Sequence, residues 1–151
     1  MASVQVSAEK RIARPIEVVR AQFIDWVHHE QTQVHSALVL SHVRPTPGGV
    51  ALTSRRRVLG LWQEDQMEFM REANGDSTAR SVAGANVGLT VTQTFEEQGA
   101  DATLVRLTVD MPLKGLMAWL KPLVRLGIAR DLALGLEEDR VDLEERGYLA
   151  S

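Results

Sequence analysis

Ile12-Ala-Arg-Pro-Ile-Glu-Val-Val19, continuing into Phe23-Ile-Asp25, is the stretch on which the fold turns. Upstream of it Val4, Val6 and Ala8 alternate with polar neighbours, so a first strand runs to about Ile12. Pro15 brings a preset φ and no N–H to a place where a helix start needs none, and Glu17 favours the positive end of the same helix. Val18, Val19, Phe23 and Ile24 recur at helical spacing and predict a helix over Ile16–Trp26. The polar run His28–Gln33 follows as a second helical turn or a loop.

Beyond this point the period changes from helical to two. Val34–Val43, Val50–Leu59, Leu61–Arg71, Ser77–Ala83, Val87–Phe95 and Ala102–Met111 read as six strands. Pro45-Thr-Pro-Gly-Gly49, Gly60, Asn74-Gly-Asp76, Gly84 and Gln98-Gly-Ala-Asp101 punctuate them. Hairpins are the economical connection at such spacing, so the strands are antiparallel. Pro112 closes the last one, and Leu113–Leu149 is rich in Leu, Ala, Glu and Arg, as a long helix is. Pro122 removes a helix hydrogen bond and predicts a break or kink there, with Gly127 adding slack.

The expected architecture is α+β: a curved seven-stranded antiparallel sheet wrapped around a long C-terminal helix, with one or two short helices after the first strand. A curved sheet gripping a helix leaves a space between them suited to a small apolar ligand. The 151 residues suffice for a single domain, 1–151, and contain no repeat or linker.

Composition narrows the function. The chain has no cysteine, which excludes disulfides, thiolate nucleophiles, cysteine-bound zinc and iron–sulfur clusters. A formal charge of −3 provides no general field for nucleic acid. The N-terminus lacks the apolar core of a signal peptide, and no run reaches the roughly 18 uncharged apolar residues of a membrane span, so a cytoplasmic location without integral membrane association is expected. No Gly-x-Ser-x-Gly elbow and no phosphate-binding glycine loop is present. A homo-oligomer is compatible with all of this.

The order of elements, opening on Ile12–Val19 and Phe23–Asp25, resembles the START-like superfamily, also called SRPBCC or helix-grip proteins, over essentially the whole chain. The resemblance implies a helix-grip fold and a function among lipid or hormone binding, polyketide cyclase or dehydrase chemistry, and the catalytic domains of Rieske-type ring-hydroxylating oxygenases.

Chemistry-bearing residues concentrate in two places. All four histidines (His28, His29, His35 and His42) lie within 15 residues. On the terminal helix, at ~100° per residue, Leu132, Leu136, Asp139 and Leu143 fall within ~60° of one another, which places Asp139 in the apolar stripe. A carboxylate there needs a cation, a donor or a metal. Read as a strand, Val34–Val43 sends His35 and His42 to opposite faces, so at most one of them faces the cavity. Alternation likewise puts Arg56 on one sheet face and Arg55 and Arg57 on the other, so that one arginine enters the cavity as its neighbours stay wet. An ion pair between such an arginine and Asp139 is one reading of that acid.

Asp25-Trp-Val-His28, with His35 after it, also resembles the Asp-x-x-His-x4-His motif of Rieske oxygenases, although six residues rather than four separate the two histidines. Glu137-Glu-Asp139-Arg-Val-Asp-Leu-Glu144 resembles the helix that supplies their carboxylate. The resemblance implies Asp25 as a bridging acid and His28, His35 and Asp139 as ligands of a mononuclear Fe(II). The absence of cysteine leaves no Rieske cluster to feed such an iron.

The sequence therefore predicts a small hydrophobic ligand, aromatic or polycyclic, held without a cofactor by Leu132, Leu136, Asp139, His35, Arg56 and Trp119. His35 and Asp139 would orient it or serve as an acid–base pair for a cyclase or dehydratase step. Whether the chain is an enzyme stays open. Two alternatives stand beside this reading: the Fe(II) enzyme using His28, His35 and Asp139, and a non-catalytic lipid carrier. In the carrier, Leu113–Pro122 touches a membrane; otherwise Trp119 and Met117 form a lid over the cavity mouth.

Overall fold

In the computed structural model, which describes residues 2–149, seven antiparallel strands form one sheet in the order β1-β7-β6-β5-β4-β3-β2. They are β1 (Ser3–Ile12), β2 (Leu38–Thr46), β3 (Gly49–Val58), β4 (Leu61–Arg71), β5 (Ser77–Gly84), β6 (Thr90–Glu97) and β7 (Thr103–Pro112). Helices α1 (Ile16–Phe23) and α2 (Trp26–Thr32) follow β1, and α3 (Leu116–Trp119) and α4 (Lys121–Glu144) follow β7. The sheet curves around α4, as a helix-grip fold requires. Closing β1 onto β7 joins the two ends of the strand series: Ser3 pairs with Pro112 and Ile12 with Thr103.

Several boundaries depart from the sequence reading, each for a local reason. The expected helix over Ile16–Trp26 is two helices, because the Asp25 side chain accepts the His28 N–H and starts α2. Strand β2 begins at Leu38 rather than Val34, because Gln33 takes a left-handed conformation that ends α2 and residues 33–37 form a connecting loop. His42 has a positive φ of 54°, and the β2–β3 register shifts between Ser41 and Arg44. Simple alternation from His35 to His42 therefore does not apply. Residues 85–89 form a loop held by the buried Asp65, which accepts from the Asn86 N–H, Asn86 Nδ2 and Ser81 Oγ. Pro122 does not kink a long helix. The break falls at Leu120, and Pro122 occupies the first turn of α4, where the missing N–H costs nothing.

Two apolar clusters lie between α4 and the sheet. Val4, Leu52, Met111, Val124 and Ile128 belong to the one nearer the start of α4. Ile12, Val19, Phe23, Val105, Leu136 and Leu143 belong to the other. Leu132 packs against both. Among the described residues no helix is long and apolar enough to cross a membrane.

Candidate functional site

A cavity of about 180 Å³ opens between α4, α2 and the inner sheet face. Trp26, Leu40, Leu52, Phe69, Val109 and Leu132 supply its apolar walls, and Trp26 and Phe69 lie ring against ring with centroids 4.1 Å apart. Among its polar residues His29, His35, Asp139 and Glu138 lie on one side, and Ser54, Arg56, Asp65, Gln93 and Asp131 also reach the lining. Such a volume slightly exceeds the roughly 150 Å³ at which an engineered apolar cavity takes up benzene.

The polar side is organised on one oxygen. Asp139 Oδ1 accepts from Gln22 Nε2 at 3.0 Å, faces His29 Nε2 at 3.0 Å and lies 3.6 Å from His35 Nε2. His29, Asp139 and Gln22 are all buried. Suitable ligand atoms of His29, His35 and Asp139 lie within 4.8 Å of one another. The His35 ring rests against Gly135, where a side chain would meet it at 3.7 Å.

His29 carries a specific protonation problem. Its Nδ1 lies 2.9 Å from the Asp25 carbonyl oxygen, which can only accept, so Nδ1 holds a proton. In the neutral ring Nε2 would then turn a lone pair toward the Asp139 carboxylate. Either a second proton or a cation at Nε2 removes that repulsion. Burial works against the charged ring, yet the Asp139 hydrogen bond and the nearby negative charges outweigh it and raise the His29 pKa.

A second histidine–aspartate pair lies next to the first but outside the cavity lining. His28 Nε2 meets Asp142 Oδ2 at 2.7 Å, and Gln22 Nε2 bridges to that same oxygen at 3.0 Å. Gln22 thus ties the two carboxylates together while its own Oε1 and His35 Nδ1 are buried without a hydrogen-bond partner. The Tyr148 hydroxyl donates to Asp25 Oδ2 at 2.6 Å and its ring stacks edge-on with His28, securing the start of α2 from the C-terminal segment.

The structure therefore redistributes the residues singled out in the sequence. His35, Asp139, Leu132 and Arg56 line the cavity. His28 does not join His35 and Asp139; His29 takes that position, because α2 is helical and successive residues point ~100° apart. Leu136 packs into the core cluster with Phe23 and Val105 instead of facing the cavity. Trp119 is 86% exposed and forms no lid. Asp25 acts through its carbonyl on His29 and its carboxylate on the α2 cap. Arg55 and Arg57 flank the exposed Trp62, while Arg56 turns inward and donates to Met111 Sδ at 3.4 Å. No arginine pairs with Asp139 among the described residues.

Gln22, His29 and Asp142 are the contributors that sequence reasoning passed over. Asp142 was findable, since it follows Asp139 by one helical turn. His29 follows the buried Trp26 by three residues, a spacing that becomes informative once His28–Gln33 is read as helix.

No protein-family model and no curated protein matches the chain. Solved structures do. A protein from Thermus thermophilus superposes with a TM-score of 0.79 at 18% identity, over 96% of this chain and 100% of that one. The Zhui aromatase/cyclase of a Streptomyces species gives 0.73 at 14%, over 98% and 100%. Norcoclaurine synthase of Thalictrum flavum, solved with dopamine and hydroxybenzaldehyde, gives 0.70 at 11%, over 98% and 90%.

Proposed function

Because the chain has the START-like helix-grip fold, we propose that it binds a small, mainly apolar aromatic molecule in the cavity beneath α4, with a polar substituent turned toward His29, His35 and Asp139. The observation that carries this reading is an apolar cavity whose polar side converges on a single carboxylate oxygen. A volume near 180 Å³ fits one aromatic ring better than a polycycle. Arg56, inward and with its guanidinium hydrogen-bonded among the described residues only to the Met111 sulfur, offers further N–H donors to a carbonyl or phenolic oxygen of the same ligand. Norcoclaurine synthase, which shares the fold, was solved with dopamine and hydroxybenzaldehyde, each carrying a single aromatic ring.

Titration of the wild type with a panel of monocyclic phenols and benzaldehydes, read by tryptophan fluorescence and calorimetry, tests the reading. Saturable binding to at least one member is expected, with its loss in Gly135→Leu, whose side chain would fill the space beside His35. If no member binds the wild type saturably, the reading fails.

A second reading is favoured by the donor set itself. His29 Nε2, His35 Nε2 and an Asp139 oxygen are the two imidazoles and one carboxylate that suit a divalent ion such as Fe(II). The Asp25 carbonyl already fixes the His29 proton on Nδ1, as metal-binding histidines require. An ion held there would supply open coordination positions beside the cavity. The chain's own residues would do the rest: Gln22 orients Asp139, and the apolar walls exclude water. A His–Asp proton-transfer pair built from His29 or His35 with Asp139 is the metal-free counterpart.

A further inference from the structure

The terminal helices carry two apolar faces, and only one is covered. At ~100° per residue, Val124, Ile128, Leu132, Leu136 and Asp139 point one way along α4. Leu123, Leu126, Arg130 and Leu134 cluster within ~80° on the opposite side. Those three leucines are exposed, Leu126 to 58%, and the preceding α3 adds Leu116 at 72% and Trp119 at 86%. A solvated helix normally presents charge on that side.

Charge identifies what would cover it. The segment 113–130 holds Lys114, Lys121, Arg125 and Arg130 and no acidic residue, in a chain that is acidic overall. Among the described residues none of these four cations forms an ion pair. The first acid to follow, Asp131, reaches the cavity lining. A second copy docked face to face would set the same cations against themselves with no acid in the stripe to oppose them. An anionic bilayer supplies both missing partners: phosphate for Arg130 within the stripe and for Lys114 and Lys121 at its start, and acyl chains for Leu116, Trp119, Leu123 and Leu126. Arg125 lies nearer the covered face and donates to the Gln5 carbonyl oxygen.

We infer that α3 and the first half of α4 form a docking surface for negatively charged membranes, independent of what the cavity holds. The chain would lie on such a surface without crossing it, consistent with the absence of a spanning helix among the described residues.

Co-sedimentation with vesicles of phosphatidylcholine alone, and of phosphatidylcholine with phosphatidylglycerol, tests this. Wild type should partition onto the anionic vesicles and release as salt rises. Trp119→Ser with Leu123→Ser should weaken partitioning by at least about tenfold, since interfacial binding scales with the apolar area inserted. Lys121→Ser with Arg130→Ser should remove the preference for anionic lipid. Quenching of tryptophan emission by brominated lipid in a Trp62→Phe background, with Trp62→Phe/Trp119→Phe as the reference for Trp26, gives a readout in which the stripe of the test protein is unchanged. The inference is overturned if wild type ignores anionic vesicles, if the Trp119/Leu123 variant binds equally well, or if the stripe instead holds a dimer that Trp119→Ser dissociates in light scattering.

Discussion

His29 Nε2 lies 3.0 Å from Asp139 Oδ1 while the opposite nitrogen of the same ring donates to the Asp25 carbonyl at 2.9 Å. The backbone of the α2 cap thereby dictates which nitrogen is offered to the cavity, and a buried carboxylate waits on that side. Helix capping, an element of local structure, sets the chemistry of the site.

Replacing the histidines one at a time separates the two pairs. In protein purified without chelators and loaded with Fe(II), His29→Ala and His35→Ala should lose bound metal, and His28→Ala should retain it, as measured by elemental analysis. Equal loss in His28→Ala, or no metal in the wild type, would count against the metal reading.

The raised His29 pKa has a definite sign in stability. Its ordinary value is 6.5. The charged ring therefore contributes fully below about that pH, and the contribution is lost as pH rises through the higher folded-state value. In chelator-treated protein, urea midpoints of wild type should fall relative to His29→Gln between neutral and mildly alkaline pH. His28, His35, Asp139 and Asp142 face the same ring or its partner, so the comparison is made against that variant rather than in wild type alone. Parallel midpoint curves would contradict the assignment.

On the acid side, the Arg140 and Lys10 contacts pull Glu137 down to about 2 from an ordinary 4.5. Its contribution is present above the ordinary value and disappears as pH falls through the folded one. NMR titration should find its carboxylate still ionised at pH values where other exposed glutamates are protonated. Arg140→Ala should raise it toward the ordinary value, and Lys10→Ala in addition should complete the return.

Tyr148→Phe removes the hydroxyl that donates to Asp25 Oδ2. A loss of about 1.5 kcal/mol in unfolding free energy is expected for a hydrogen bond to a carboxylate. Because Asp25 caps α2, amide exchange should accelerate in residues 26–32. Unchanged exchange there would show that the cap does not depend on Tyr148.

Gly84→Ala should cost about 3 kcal/mol, because its φ of +118° disfavours a side chain and a Cβ would stand 2.3 Å from the Glu64 carbonyl oxygen. Denaturant unfolding measures it. A cost below about 0.5 kcal/mol, the usual effect of a surface change, would disprove the close approach.

Much of this molecule was legible in linear form. Period-two runs between Val50 and Met111 located the sheet strands, and their turn residues dictated antiparallel order. The apolar stripe placed Asp139 inward, and Arg56 separated from Arg55 and Arg57 by alternation. The histidines were harder. A strand drawn back to Val34 gives His35 a strand setting where the structure has a loop, and the motif resemblance on Asp25–His28 points to His28, whereas the helical course of α2 brings His29 to the cavity.

Periodicity and turn residues act within a few neighbours, so the linear chain was enough to say which segments are strands and helices and which helix face is apolar. Packing in three dimensions was needed to choose the histidine that meets Asp139, to bury Leu136 in the core while Leu132 borders the cavity, and to leave Trp119 exposed. Those outcomes depend on where a loop and a helix cap aim side chains toward partners far along the chain. A rotation of ~100° between adjacent helical positions is enough to exchange one cavity-facing histidine for its neighbour.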